Sequence, residues 1–156
     1  MIMKHTEFMR EALLEAKRAG AIGEVPIGAL VVLDGEIIAR GHNEKELRND
    51  PTAHAEIIVL RDASAKLGSW RLNGADLYVT LEPCPMCVGA MLQARIRRLI
   101  FGAPDPKAGA AGTLIDLTSI KGLNHKIEVI GGIMETECSA ILTDFFGSLR
   151  GNPQDD

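Results

Sequence analysis

The sequence predicts an α/β fold in which a mixed sheet of about five strands carries helices on both faces. Three observations lead there. The 156 residues fit one domain, spanning 1–156 with no internal repeat, low-complexity tract or linker, and large enough to bury a substantial core. Apolar residues follow helical spacing in some segments and form short β-type runs in others. Their order is helix, two strands, helix, strand, helix, strand, loop, strand, helix. Finally, Asp34-Gly35 between two apolar runs is a strong hairpin signal.

The first helix shows Phe8, Met9, Ala12, Leu13 and Ala16 on one side and ends near Gly20. Ile27 to Leu33 and Glu36 to Gly41 form the hairpin. Asp50-Pro51 reads as the next helix start, with Asp as cap and Pro at the first helical position. Ile57, Ile58, Leu60 and Leu67 carry that helix to about Gly68. Asp76 to Leu81 is a buried strand, and Glu82-Pro83 leads into a helix holding Cys84 to Ala94. Arg98 to Gly102 and Lys126 to Ile130 complete the sheet. Met134 to Leu149 is a last helix, with Ile141, Leu142, Phe145 and Phe146 available for packing. The stretch 103–125 is a long loop rich in Gly and Ala, and long loops in compact domains more often serve function than not.

Composition narrows the class. Hydrophobic residues at 46% and charged residues at 24% are ordinary for a soluble protein, and 4% aromatics leave the core to Leu, Ile, Val, Ala and Met. No apolar run approaches the roughly 18 residues of a membrane helix. The opening Met-Ile-Met-Lys-His-Thr-Glu lacks a secretory pattern, so the expected compartment is the cytoplasm, with no membrane partner. Three cysteines, two of them in Cys-x-x-Cys, argue against a disulfide framework and for a metal or redox site. The net charge of −4 offers no general attraction to nucleic acid. Residues 1–134 carry 16 basic and 16 acidic side chains, and the excess lies wholly in 135–156, so any basic surface is local.

Two motifs at expected helix starts carry the chemistry, His54-Ala55-Glu56 and Pro83-Cys84-Pro85-Met86-Cys87. Cys-x-x-Cys on a first helical turn puts two thiolates within reach of one ion, at a helix end that stabilises their charge. By itself the pair fits a redox couple, half of a structural zinc knot, or part of a catalytic site. A closed structural site wants four Cys/His ligands, whereas here one pair stands with a distant Cys138 and four scattered histidines. Three ligands and one open position form the catalytic pattern, and His54, with a carboxylate two residues on, is the obvious third ligand. Positions i and i+2 of a regular helix do not share a face, so His54 and Glu56 serve one centre only where the helix has barely begun.

His-x-Glu followed some 30 residues later by Pro-Cys-x-x-Cys resembles the signature of zinc nucleobase deaminases. Nearly the whole chain is similar to the bacterial tRNA-specific adenosine deaminases. The similarity is carried by Gly-Glu-Val-Pro-Ile-Gly-Ala at 23–29, Asn49 to Glu56, Leu81-Glu82-Pro83-Cys84, the run Gly102 to Gly112, and Asp144-Phe145-Phe146. The resemblance implies a cytidine-deaminase-like three-layer α/β/α sandwich, usually a homodimer. It implies one zinc held by His54, Cys84 and Cys87, with zinc-activated water attacking C6 of adenine and Glu56 moving protons from water to N1 and to departing ammonia. It places Asn43 against the target nucleotide, and Asp105 and Lys107 in a loop that meets the RNA. The implied partner is a tRNA anticodon stem-loop, an arginine tRNA in particular. Deaminases of free guanine or cytidine are the alternative. So, from another class, is a non-catalytic zinc-stabilised RNA-binding module.

Better-known family members often end in a basic helix, while this chain has no basic residue after Arg150. The remaining features have plainer readings. His42 and His125 take polar loop or surface roles, His5 faces solvent, and Cys138 is a small buried hydrophobe. Arg95-Ile96-Arg97-Arg98 is either a solvated helix end or an RNA-facing patch. The Gly/Ala run at 108–112 only weakly resembles a phosphate cradle, lacking the Gly-Lys-Ser/Thr ending.

Overall fold

The computed structural model describes residues 2–150; the tail from Gly151, with its lack of basic residues, lies outside them. Helix α1 (Ile2–Ala21) presents Met9, Ala12, Leu13 and Ala16 to the sheet. It lies so close on strand β1 (Gly28–Leu33) that a Cβ at Gly28 would sit 2.0 Å from the Ala12 carbonyl oxygen. The hairpin to β2 (Glu36–His42) turns at Asp34 and Gly35, both with positive φ (52° and 79°), the geometry that matches the twist of paired strands. His5, expected in solvent, is instead buried, with its Nδ1 2.6 Å from the Tyr78 hydroxyl. It falls four residues before Met9 on the buried stripe of α1, so helical spacing carries it inward.

The helix expected at Asp50-Pro51 starts four residues later, at Ala55. Asp50 folds a turn instead, its Oδ1 accepting from the Thr52 amide (2.8 Å) and hydroxyl (2.7 Å). A four-residue helix without a sequence signal, α2 (Lys45–Arg48), precedes that turn, and α3 (Ala55–Leu67) follows it. Strand β3 (Asp76–Leu81), helix α4 (Pro85–Gln93), strand β4 (Arg98–Ala103), the short strand β5 (Glu128–Ile130) and helix α5 (Glu135–Arg150) complete the order.

The sheet runs β2-β1-β3-β4-β5. β1 pairs antiparallel with β2 and β3, while β3, β4 and β5 are parallel, so the sheet is mixed. Side chains alternate across it. Ala29, Val31, Leu77, Val79, Leu99 and Phe101 pack with Val59, Leu60 and Met91 of α3 and α4. Leu30, Val32, Tyr78 and Ile100 pack on the other face with Met9 and Leu13 of α1 and Cys138 of α5. Three layers, α/β/α, result. The parallel pair β3 and β4 fixes the functional site, because β3 ends where Pro83 and Cys84 begin, and in open α/β sheets ligands bind beyond the carboxyl ends of parallel strands.

Candidate active site

His54 is the N-cap residue of α3 and remains extended (φ −73°, ψ 151°). Cys84 holds the same position on α4 (φ −77°, ψ 172°), with Pro85 opening the helix and Cys87 in its first turn. Two helix N-termini therefore converge, each placing positive partial charge beside a ligand. Because α3 begins only at Ala55, His54 lies outside the helical repeat and Glu56 inside it, so the i, i+2 pair can share one centre.

His54 Nδ1 lies 3.6 Å from Cys84 Sγ and 3.5 Å from Cys87 Sγ. The three donor atoms fall within 4.8 Å of one another, and no other such trio occurs among the described residues. Tetrahedral zinc, with bonds of about 2.3 Å to sulfur and about 2.0–2.1 Å to nitrogen, would hold N and S donors about 3.6 Å apart, so the trio fits it. Cys138 sits across the sheet in the α1/α5 core, its thiol pushed up to about 12 by burial, and takes no part.

Within the trio the shifts are unequal, and only Cys84 is drawn towards its thiolate. The hydrogen bond from Cys87 draws the Cys84 thiol down to about 4, against burial and with help from His54. Cys87 is pushed upward by that same bond and by burial. His54 is raised by its bond to Cys84, burial opposing. Glu56 is only 4% exposed and shares a hydrogen bond with the Cys87 side chain. Burial raises its carboxyl to about 7, where a group both takes and gives protons readily at neutral pH.

Asn43 follows β2 and is buried. Its amide donates to Ile27 O and the Glu44 amide to Ala53 O, both at 3.0 Å, tying this segment to the residue before His54. A neighbouring residue that sequence reasoning missed is Glu24, buried in the α1–β1 loop. Its Oε1 accepts from the Glu46 and Leu47 amides at 2.7 and 3.1 Å, securing α2 beside Asn43. Glu82 was missed as well. Burial opposes its ionisation, yet bonds from Thr113, Asp105 and Ala111 hold its carboxyl below the usual range. Neither glutamate stands in a spacing that marks it in the sequence.

Asp105 spends its Oδ1 on the amides of Lys107 (2.9 Å) and Ala108 (3.2 Å), shaping its own turn. Lys107 is exposed. Both border a cleft of about 580 Å³ shared with Val25, Leu81, Pro104 and Phe146. Phe145 and Phe146 stack edge-to-face at 5.5 Å, but neither joins the core, and Phe146 is 41% exposed.

The basic run lies elsewhere. Arg97 and Arg98 each grip Asp76 with two hydrogen bonds of 2.7–3.2 Å, at the start of β3 and thus at the end of the sheet opposite the cysteines. Ile96 is fully buried and Arg95 closes α4 with φ of 63°. His42 pairs with Glu15 at 2.9 Å, and His125 Nε2 meets the Ile96 carbonyl at 2.7 Å, both half-buried polar roles.

A His/Cys/Cys group able to hold a metal, with a buried glutamate beside it at the carboxyl end of a mixed α/β/α sheet, is the equipment that a hydrolytic deaminase needs. The family model of MafB19-like deaminases matches residues 3–150. The tRNA-specific adenosine deaminase of Bacillus subtilis is 52% identical over 143 residues, 92% of this chain and 89% of that protein. A solved structure from work on A-to-I editing by tRNA:A34 deaminases at the wobble position of transfer RNA superposes with a TM-score of 0.85 at 53% identity, covering 88% of this chain and 99% of the other. A guanine deaminase from Nitrosomonas europaea shares the fold (TM-score 0.74; 89% and 82% covered) at only 26% identity. The chain belongs to the tRNA-specific adenosine deaminase family.

Proposed function

We propose that this chain hydrolyses adenosine to inosine at the wobble position of a tRNA anticodon, consuming one water and releasing ammonia. The observation that carries the reading is Glu56, buried and proton-sharing beside the trio His54, Cys84 and Cys87. Identity at the level of 52% to a tRNA deaminase, against 26% to a guanine deaminase, favours it over a free-base enzyme.

His54, Cys84 and Cys87 would hold one zinc per chain. Zinc bound there would supply the acidity that makes water a competent nucleophile near neutral pH. Glu56 accepts the proton lost as water adds to C6 of adenine. It delivers that proton to N1, then takes the second proton from the new C6 hydroxyl and passes it to the amino nitrogen, which leaves as ammonia while C6 keeps a carbonyl oxygen. Glu24, by securing α2, keeps the Asn43 segment against Ala53 and so beside His54. Asn43 contacts the target nucleotide, and Asp105 and Lys107 border the path of the flanking RNA. The cleft beside them, with Phe146 partly exposed, supports a substrate larger than one base.

The substrate is read as an arginine tRNA with an ACG-type anticodon, the compartment as the cytoplasm, and the assembly as a homodimer. No helix among the described residues is long and apolar enough to cross a membrane. A groove between α3 and α4, lined by Ile57, Leu60, Ala90 and the exposed Trp70, supports self-association.

A stacked, paired base cannot enter such a site. The test compares two stem-loops, one with adenosine in the anticodon loop and one with the same adenosine moved into the paired stem. Inosine in the first alone is expected. Equal conversion of both, or of neither, removes the proposal.

A further inference from the structure

The loop 105–113, which contains the Gly/Ala run, is a cradle for an anion, and the anion is the protein's own Glu82. Glu82 is 2% exposed, two residues before Cys84 on the segment leaving β3. Its Oε1 accepts from the Asp105 amide at 3.0 Å and from the Thr113 hydroxyl. Its Oε2 accepts from the Ala111 amide at 3.0 Å and the Thr113 amide at 3.1 Å. Three backbone N–H groups from one loop thus converge on one carboxylate, as they do in loops that bind phosphate. Further bonds flank the cradle: Ala110 N to Pro83 O and Glu82 N to Ala103 O. Gly109 is required by space, since a Cβ there would lie 2.5 Å from the Glu82 carboxyl carbon and 2.5 Å from Asp105 O.

We infer that Glu82 is a positioning residue for RNA recognition: it fastens the loop bearing Asp105 and Lys107 to the chain segment that delivers Cys84. The inference rests on the proposed function, because it assigns that loop to RNA. The coupling is direct. Glu82 takes Asp105 by its amide, Asp105 takes Lys107 by its amide, and each bond sets the direction of the next side chain. A carboxylate is needed, since both oxygens receive two donors. In Glu82→Gln at least one backbone N–H faces an amide N–H₂, whichever way that amide turns. Loosening the loop leaves His54, Cys87 and Glu56 on their own helices, so recognition should suffer ahead of chemistry.

The experiment uses the zinc-loaded enzyme, with Glu82→Gln and, approaching the cradle from the loop side, Gly109→Ala. For each, zinc content, amide hydrogen exchange, and steady-state deamination of an anticodon stem-loop are measured. Expected are full zinc, faster exchange confined to the 105–113 amides, and KM raised about tenfold or more with kcat within about threefold. A stability loss alone would instead lower active enzyme and kcat, leaving KM untouched. Wild-type KM in both variants, or loss of zinc with kcat collapsing at unchanged KM, overturns the inference. If the wild-type enzyme itself leaves the stem-loop unconverted, the proposed function has failed and this inference falls with it, a result separable from the others by the wild-type control.

Discussion

His54 Nδ1 and Cys87 Sγ stand 3.5 Å apart at the converging N-termini of α3 and α4, although 33 residues separate them in sequence. The sheet enforces this meeting: α3 and α4 pack on one face of it, and each ligand lies at or within one turn of its helix start. A trio with no fourth donor beside it among the described residues would leave one position on a tetrahedral metal for water or substrate.

Metal content should follow that geometry. Cys87→Ala should lose zinc, and Cys138→Ala, altered on the far face of the sheet, should retain one zinc per chain by elemental analysis. An empty site in Cys138→Ala would mean that the trio is incomplete.

Glu56→Ala should keep zinc and fold while turnover drops by about 10²–10⁴-fold or more, as for other general acid–base groups. A non-catalytic zinc module would have no turnover to lose. Wild-type rates in this variant would remove Glu56 from the proton path.

Asp76 gives an acid-stability prediction. Burial would raise its carboxyl, but the bonds from Arg98 and Arg97 outweigh burial and hold it below 3.8. A carboxyl depressed on folding contributes stability above the unfolded value, and that contribution is lost as pH falls through the folded one. Asp76→Ala should therefore cost about 3 kcal/mol at neutral pH, leaving Arg98 half-enclosed without its partner, and should flatten the loss of stability below about pH 4. Arg97→Ala should cost about 1 kcal/mol or less, since Arg97 is 55% exposed. Urea midpoints at several pH values check both; equal costs for the two variants would contradict the pairing.

His5 titrates in a different window. Burial first, then Arg98, holds it below 6.5. For a base so lowered, the unfolded chain binds the extra proton, so stability is full above about pH 6.5 and declines as pH falls beneath it. His5→Gln should show a shallower decline between about pH 7.5 and about pH 5.5. An unchanged slope would mean that His5 charges freely in the fold.

RNA affinity should separate the two ends of the sheet. Lys107→Ala should flatten the slope of log K against log salt by about one unit, as for one lost phosphate contact, while Arg97→Ala should leave it unchanged. The reverse outcome would place the RNA at the Asp76 end.

The readable parts of the fold were those with local causes. Asp34-Gly35 set the hairpin, the continuous apolar run Leu77-Tyr78-Val79 set β3 as a buried strand, and Cys-x-x-Cys behind Pro83 set the ligand end of α4. Asp50-Pro51 misled because Asp caps turns as well as helices, and here Thr52 supplied the competing donors. His5 was legible in principle, since it continues the stripe of Met9, Ala12 and Ala16. Glu82 was not, because its partners lie 23–31 residues further on and, the Thr113 hydroxyl apart, are backbone amides, which carry no side-chain signature. The pairing of Arg97 and Arg98 with Asp76 was hidden for the same reason: it depends on β3 and β4 being neighbours in register.

The central claim is the substrate. Contacts remote from the reacting base raise the rate as well as the affinity when they position it, so an enzyme built for RNA should be poor on fragments. The decisive measurement is kcat/KM for an ACG anticodon stem-loop beside free adenosine, guanine and cytidine, all with the same zinc-loaded preparation. Inosine is expected in the stem-loop, with the free compounds slower by about a thousandfold or more. Efficient turnover of guanine or cytidine, with the stem-loop untouched, would contradict it and make the chain a free-base or nucleoside deaminase.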